Sequence, residues 1–243
     1  MQTKIIAHRG ASAYLPENTL PAFQLAMEQG AKGFELDIHL TKDDHVVVAH
    51  DLTLERVSNG TGRICDYNLA ELRELDFGNH ATLPTLAEVY ALVADTNLTI
   101  NVELKTTEEL YPAMPEKLIR LEKEYGIEDR VLYSSFNHYS LLAIRQHNKD
   151  AGIGILYDLG LVDPWVYAKQ LGANAIHPHY KIIAALPETV ARCHKEGIQV
   201  NIWTVDDPQA IKYMLSLGVD NLITNVPDVA IKILKEQTHD RPI

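Results

Sequence analysis

The sequence predicts an α/β fold, a closed (β/α)8 TIM barrel with a small insertion in the connection after the second strand. Three observations carry that prediction. Short runs rich in Ile, Val or Leu alternate with helical stretches from one end of the chain to the other. These runs have the length and composition of parallel strands buried on both faces. The 243 residues also match the roughly 250 that one such barrel commonly needs.

The strands are expected at residues 4–8, 33–39, 98–104, 130–134, 152–156, 174–177, 198–203 and 219–223. A helical pattern follows each of them. Thr19 to Gln29 places Leu20, Phe23 and Met27 on one face, and Gly30 closes the helix. The stretches Pro187 to Lys195 and Pro208 to Ser216 each begin with proline near a first turn, and Gly197 and Gly218 follow their ends. The alternation is interrupted once. His45 to Ala49 reads as an extra extended segment, Ser58-Asn59-Gly60-Thr61-Gly62 as a turn cluster, and Leu69 to Leu75 as a short helix. Residues 44–83 are therefore expected to form an insertion subdomain within a single domain spanning 1–243. An open doubly wound sheet is the structural alternative, because local pattern does not establish closure. No Gly-x-Gly-x-x-Gly follows the first strand to support a dinucleotide site.

With 33 acidic against 22 basic residues the net charge is −11, and no dense Lys/Arg run is present. That balance excludes a phosphate-backbone binder, so no nucleic acid partner is expected. A small phosphate ester is compatible with it, provided the site gathers its own positive charge. Cys65 and Cys193 lack metal or redox spacing and read as reduced thiols. The first residues have no signal-peptide apolar core, and no apolar run approaches the ~18 residues of a membrane span. A cytoplasmic protein without stable membrane insertion is expected.

Phe34-Glu35-Leu36-Asp37-Ile38 carries the most chemical information. Side chains alternate along a strand, so Glu35 and Asp37 share one face and the apolar residues share the other. In a barrel the apolar face packs on the helices and the carboxylates point inward. Two buried carboxylates repel and lose hydration, which calls for a cation or shared protons. Glu103 and Lys105 repeat the pattern in Asn101-Val102-Glu103-Leu104-Lys105. If these strands are neighbours, three carboxylates and an ammonium converge. Three oxygen donors without cysteine suit a hard divalent cation, Mg2+ or Ca2+. The competing structural reading is a buried Glu–Lys ion pair beside an unrelated acidic strand.

Among eleven histidines, two stand where barrel sites form. His8 ends the first strand, and His50 ends Val46-Val47-Val48-Ala49 and precedes Asp51. Imidazoles titrate near neutrality, so a pair can hold one acid and one base. Arg9 and Lys105 would supply the positive charge for a phosphate. His39, on the same face as the acids, is read as a rim residue more readily than as an outer ligand. His177 and His179 are candidates for lining the pocket.

These residues resemble the glycerophosphodiester phosphodiesterase family. His8-Arg9-Gly10-Ala11 with Pro16-Glu17-Asn18-Thr19 is similar to its first signature. Glu35-Leu36-Asp37 through Lys42-Asp43 to His50-Asp51 is similar to its second, and Val102-Glu103-Leu104-Lys105 to its third. Ser135-Phe136, Trp203-Thr204-Val205, Gly218-Val219-Asp220 and Thr224-Asn225-Val226-Pro227-Asp228 extend the likeness in order over nearly the whole chain. The resemblance implies metal ligation by Glu35, Asp37 and Glu103, acid–base catalysis by His8 and His50, and phosphate binding by Arg9 and Lys105. It implies Trp203 as an apolar wall against the glycerol carbons, with Phe136 a candidate for the same wall. The insertion corresponds to the family's additional subdomain. The implied reaction is metal-dependent hydrolysis of a small glycerophosphodiester to an alcohol and glycerol 3-phosphate, with the alcohol and the oligomeric state left open. Two departures stand out. Asp44 replaces a turn glycine, with little consequence expected. Asn225 replaces a frequent Asp, and is expected to weaken support for a basic group near the site.

The rivals are a phospholipase-like phosphodiesterase or lyase acting on lysophospholipids, and a non-catalytic ligand-binding barrel. The first would need an apolar docking rim, and none stands out in the sequence. Intact histidines and acids disfavour the second. An aldolase-type barrel would leave the histidine pair unexplained.

Overall fold

The computed structural model describes residues 2–239. Met1 and residues 240–243, which the single-domain reading included, lie outside the described residues. The chain runs β1 (Lys4–His8), α1 (Leu20–Glu28), β2 (Gly33–Leu40), β3 (Val46–Val48), α2 (Leu69–Leu72), α3 (Leu86–Val93), β4 (Thr99–Leu104) and α4 (Met114–Tyr125). It continues through β5 (Val131–Ser135), α5 (His138–His147), β6 (Gly152–Tyr157), α6 (Pro164–Leu171), β7 (Ala175–Pro178), α7 (Tyr180–Ala185) and α8 (Glu188–Lys195). It ends with β8 (Gln199–Ile202), α9 (Pro208–Ser216), β9 (Asn221–Thr224) and α10 (Pro227–His239).

The strand order β1-β9-β8-β7-β6-β5-β4-β2 closes through a further β1–β2 pairing, so the parallel strands form an eight-stranded barrel. Closure depends on the register Lys4↔Asn221 to Ala7↔Thr224 between the chain's two ends. The open doubly wound alternative is thereby excluded. Each expected strand is present within a few residues of its expected bounds. The helix after β1 starts where Thr19 caps it, its side chain accepting from the Ala22 N–H. Asp207 caps α9 in the same way, from the Ala210 N–H at 2.8 Å.

Two side-chain periods position the site. Outward-facing Phe34, Leu36 and Ile38 of β2 join the core between barrel and helices, where Phe34 packs against Phe23 of α1 with ring centroids 5.0 Å apart. The inward faces are strongly polar: Glu35 is paired in register with Asn101, and Asp37 with Glu103.

β3 runs antiparallel to the end of β2, pairing Ile38↔Val48 through Leu40↔Val46. Alternation along it splits its side chains between two cores. Val46 and Val48 enter the main core, whereas Val47 joins Ala49, Leu54, Ile64, Leu72, Phe77 and Leu83 in a smaller one. The connecting turn uses Asp44 at φ 67°, a left-handed conformation that Asp tolerates. Cys65 and Cys193 are both free thiols. Among the described residues no helix is long and apolar enough to cross a membrane.

Candidate active site

The C-terminal ends of β1, β2, β4 and β8 bring the expected residues together. His8, Arg9, Glu35, His50, Glu103, Lys105 and Trp203 all line one pocket of about 80 Å3. Asp37, fully buried, lies behind them, bonded to Arg9 and Lys105.

Glu35, Asp37 and Glu103 each offer a carboxylate oxygen, and these atoms lie within 4.8 Å of one another. Their environments differ. Burial works to raise Asp37, but Lys105 Nζ at 3.0 Å and Arg9 Nε at 3.2 Å, with the Asn18 amide donating at 3.0 Å, hold it well below the usual carboxylate range. Glu35 is raised well above its ordinary value by burial and by Asp37 and Glu103. Burial, with Asp37 beside it, pushes Glu103 up to about 7, although Lys105 Nζ lies 2.6 Å away. Buried Oε1 of Glu35 has no hydrogen-bond partner. Three acids that resist joint ionisation, with an unpartnered oxygen among them, form a donor set that fits a hard divalent cation. The expected alternative of an isolated Glu–Lys pair does not describe the cluster, because Asp37 shares Lys105 with Glu103.

The chain after β1 is shaped to hold Arg9 inward. Arg9 (φ 56°) and Asn18 (φ 58°) both adopt left-handed backbone, which costs energy for residues with a side chain. Gly10 between them (φ +80°) packs where a Cβ would fall 2.6 Å from the Ala22 carbonyl carbon. The Arg9 N–H donates to the Glu35 carbonyl at 2.8 Å, and its guanidinium bonds Glu17 at 2.9 Å.

Both histidines are held at Nδ1, which leaves Nε2 for the pocket they line. His50 Nδ1 lies 2.5 Å from Asp51 Oδ1 and therefore donates to a carboxylate. His8 Nδ1 lies 2.7 Å from Asn225 Oδ1. The Asn225 amide is oriented by Asp206, which accepts from its Nδ2 at 2.6 Å and from its backbone N–H at 2.8 Å. The amide oxygen thus faces His8, and the proton sits on His8 Nδ1. Asn225 gives His8 a neutral acceptor in place of a carboxylate, and Asp206 supplies the charge one step back. Burial, then Arg9, lowers His8 to about 4. His50 is also lowered, chiefly by burial.

His39, expected at the rim, is instead 2% exposed, with Nε2 3.1 Å from the His50 carbonyl and Nδ1 3.1 Å from the Tyr111 hydroxyl. It braces the His50 backbone from inside. Trp203 donates from Nε1 to the His177 carbonyl at 2.8 Å and meets Phe136 edge-on at 5.6 Å, so the two rings do form one wall of the pocket. His177 lines the pocket; His179 packs edge-on against Trp203 at 5.3 Å.

The residues that hold the site from outside do not declare their roles in the sequence. Arg56, in the loop after β3, grips Asp51 at 2.5 Å and Glu17 at 2.8 Å, and so ties His50's partner to Arg9's. No local pattern marks Arg56. Asn18 and Glu17 stand within the first signature, but only the folded loop shows what they bond.

The family model for the glycerophosphoryl diester phosphodiesterase family matches residues 8–229. A glycerophosphodiester phosphodiesterase of Caldanaerobacter subterraneus subsp. tengcongensis is 44% identical over 97% of this chain and 99% of its own. One from Bacillus altitudinis is 38% identical over 96% and 99%. Among solved structures, a glycerophosphodiester phosphodiesterase from Parabacteroides distasonis superposes with TM-score 0.85 at 30% identity, covering 98% of each chain. A phosphodiesterase from Oleispira antarctica, in complex with the product sn-glycerol-3-phosphate, superposes with TM-score 0.88 at 27% identity, covering 96% of this chain and 97% of its own. With its barrel, its acid cluster and a match over most of its length, the chain is an enzyme of the glycerophosphoryl diester phosphodiesterase family.

Proposed function

We propose that the protein hydrolyses glycerophosphodiesters to an alcohol and glycerol 3-phosphate, with a divalent cation held by Glu35, Asp37 and Glu103. The observation that carries this reading is the buried three-carboxylate cluster in one pocket with two histidines that both present Nε2. A cation there supplies charge to a phosphate oxygen and offsets negative charge in the transition state. Mg2+ and Ca2+ both suit the donors.

The protein's own groups supply the rest. Arg9 and Lys105, fixed on Asp37, place two positive charges beside the phosphate. His8, kept neutral by burial, takes a proton at Nε2 from the nucleophile. His50, whose Nδ1–H is held by Asp51, gives a proton from Nε2 to the leaving alcohol in its doubly protonated form, which Asp37 and Asp51 favour against burial. Trp203 and Phe136 shield the glycerol carbons from water. The residues at 44–83 act as the family's additional subdomain by carrying His50, Asp51 and Arg56 to the barrel mouth.

A second reading is favoured by one observation. Tyr139 (82% exposed), Leu159 (76%) and Val162 (92%) stand on the connections after β5 and β6, at the same barrel end as the site. Such a rim, not visible in the sequence, is what a lysophospholipid would need. Assaying glycerophosphocholine against lysophosphatidylcholine, with products resolved by phosphorus NMR, separates the readings. Glycerol 3-phosphate from the first substrate with little turnover of the second supports the proposal. Preference for the lysolipid overturns it.

A further inference from the structure

Beneath the acids, the barrel interior holds two buried polar side chains whose hydrogen bonds are incomplete. His177 on β7 is 1% exposed and Asn101 on β4 is 6% exposed. His177 Nδ1 and Asn101 Oδ1 are buried atoms with no protein partner. Both residues line the catalytic pocket and also a void of about 10 Å3 below it. Unpaired buried polar atoms of this kind are rare and costly, and call for a partner from outside the chain.

Their chemistry is complementary. Asn221 donates to Asn201 Oδ1 at 2.8 Å, which turns the Asn201 amide so that its Nδ2 faces His177 Nε2 at 2.9 Å. His177 Nε2 is therefore an acceptor, and Nδ1 carries the proton. Burial lowers the group to about 3, which keeps the ring neutral. Asn101 Nδ2 is used by Ser134 Oγ at 3.0 Å, leaving Oδ1 to accept. One donor and one acceptor in the same pocket match one hydroxyl group.

The site is built rather than left over. The His177 ring lies against Gly154 of β6, where a Cβ would come 2.3 Å from Nε2 and 2.5 Å from Cδ2. Any other residue at 154 would displace the ring. Trp203, Phe136 and Leu156 cover the pocket from the other sides with apolar surface. The upper pocket, about 80 Å3, exceeds the roughly 10–15 Å3 that one water needs.

We propose that His177 and Asn101 form a hydroxyl-recognition subsite, taking the glycerol hydroxyl farthest from the phosphate and selecting substrates in which that hydroxyl is free. The inference rests on the glycerophosphodiester reading for the placement of phosphate at the cation and histidines. An acyl ester at that oxygen removes the O–H that Asn101 accepts and adds a chain the floor does not admit. A 1-acyl lysophospholipid is thereby disfavoured at this pocket.

Calorimetric binding of glycerol 3-phosphate and 2-hydroxypropyl phosphate, which lacks only the far hydroxyl, tests the subsite without requiring turnover. The wild type, with Mg2+ or Ca2+ present, is expected to prefer glycerol 3-phosphate by roughly 10- to 100-fold. His177→Leu and Asn101→Ala should each collapse that preference while leaving affinity for the deoxy compound within about threefold. The kcat/KM ratio of glycerophosphocholine to its deoxy analogue should fall in parallel. Equal affinity of the wild type for both compounds would mean that the floor holds water only, and overturns the subsite. Equal losses on both compounds in the variants would assign the pair a packing role and overturn it as well. Should a variant fail to fold by thermal melt, the wild-type binding ratio and the second variant decide. Selective binding without diester hydrolysis would refute the proposed activity and leave the subsite standing; hydrolysis without selection would do the reverse.

Discussion

Replacing Glu103 by Gln is expected to stabilise the chelated protein at alkaline pH and to weaken its hold on a divalent cation. Burial, with Asp37 beside it, pushes the Glu103 carboxyl up to about 7 from an ordinary 4.5. A carboxyl whose folded pKa is raised contributes stability that is full below its unfolded pKa and lost as pH rises through the folded one. For Glu103 that window runs from 4.5 to about 7. The difference corresponds to about 3 kcal/mol. It is an upper bound, because the three acids titrate together and Gln forgoes the charged contact with Lys105 at 2.6 Å. For a chain of this size, about 3 kcal/mol is a melting shift of roughly 6–12 °C. Melts in EDTA at about pH 5 and about pH 8.5 should show the variant equal to wild type at the lower pH and higher-melting at the upper. Mg2+ or Ca2+ at about a thousandfold excess over Kd should reverse the order, since wild type then gains about 4.1 kcal/mol. A variant that melts lower by the same amount at both pH values would refute the picture of mutually repelling acids.

Three further outcomes follow from the supports of the site. Asn225→Asp sets a carboxylate against Asp206, which lies 2.6 Å from the amide nitrogen, so it should lower the melting temperature at neutral pH. Adding Asp206→Asn should restore the melt, and the new carboxylate should raise His8 from about 4, moving the acid limb of kcat/KM to higher pH. Arg56→Met removes the tether between Asp51 and Glu17; kcat should fall by roughly tenfold while stability changes by less than about 1 kcal/mol, as read by rates and melts on one preparation. Trp203→Ala, at a partly exposed pocket wall, should cost about 1–3 kcal/mol of stability and raise KM for glycerophosphocholine more than it lowers kcat.

The inward acids are legible in the sequence because strand alternation is local: Phe34 to Ile38 declares its two faces within five residues. His8 and His50 are legible because each ends an extended run. Barrel closure is not, since it rests on Lys4 meeting Asn221 across the chain. The burial of His39 is hidden because its partners, Tyr111 and the His50 carbonyl, arrive from separate connections. Arg56 lies in a loop whose path depends on the small core around Leu54 and Phe77. Asn225 is visible as a departure, but its pairing with Asp206, from the preceding βα connection, emerges only when the ends of β8 and β9 lie side by side. The apolar rim at Tyr139, Leu159 and Val162 is not legible, because an apolar residue in a loop or a first helical turn looks the same whether covered or exposed.

Cation-dependent diester hydrolysis run by His8 and His50 is tested by following glycerol 3-phosphate release from glycerophosphocholine. EDTA-treated protein should be inactive, Mg2+ or Ca2+ should restore release, and His8→Ala and His50→Ala should each remain inactive while still melting as folded proteins. Release that survives EDTA and both substitutions would contradict the account.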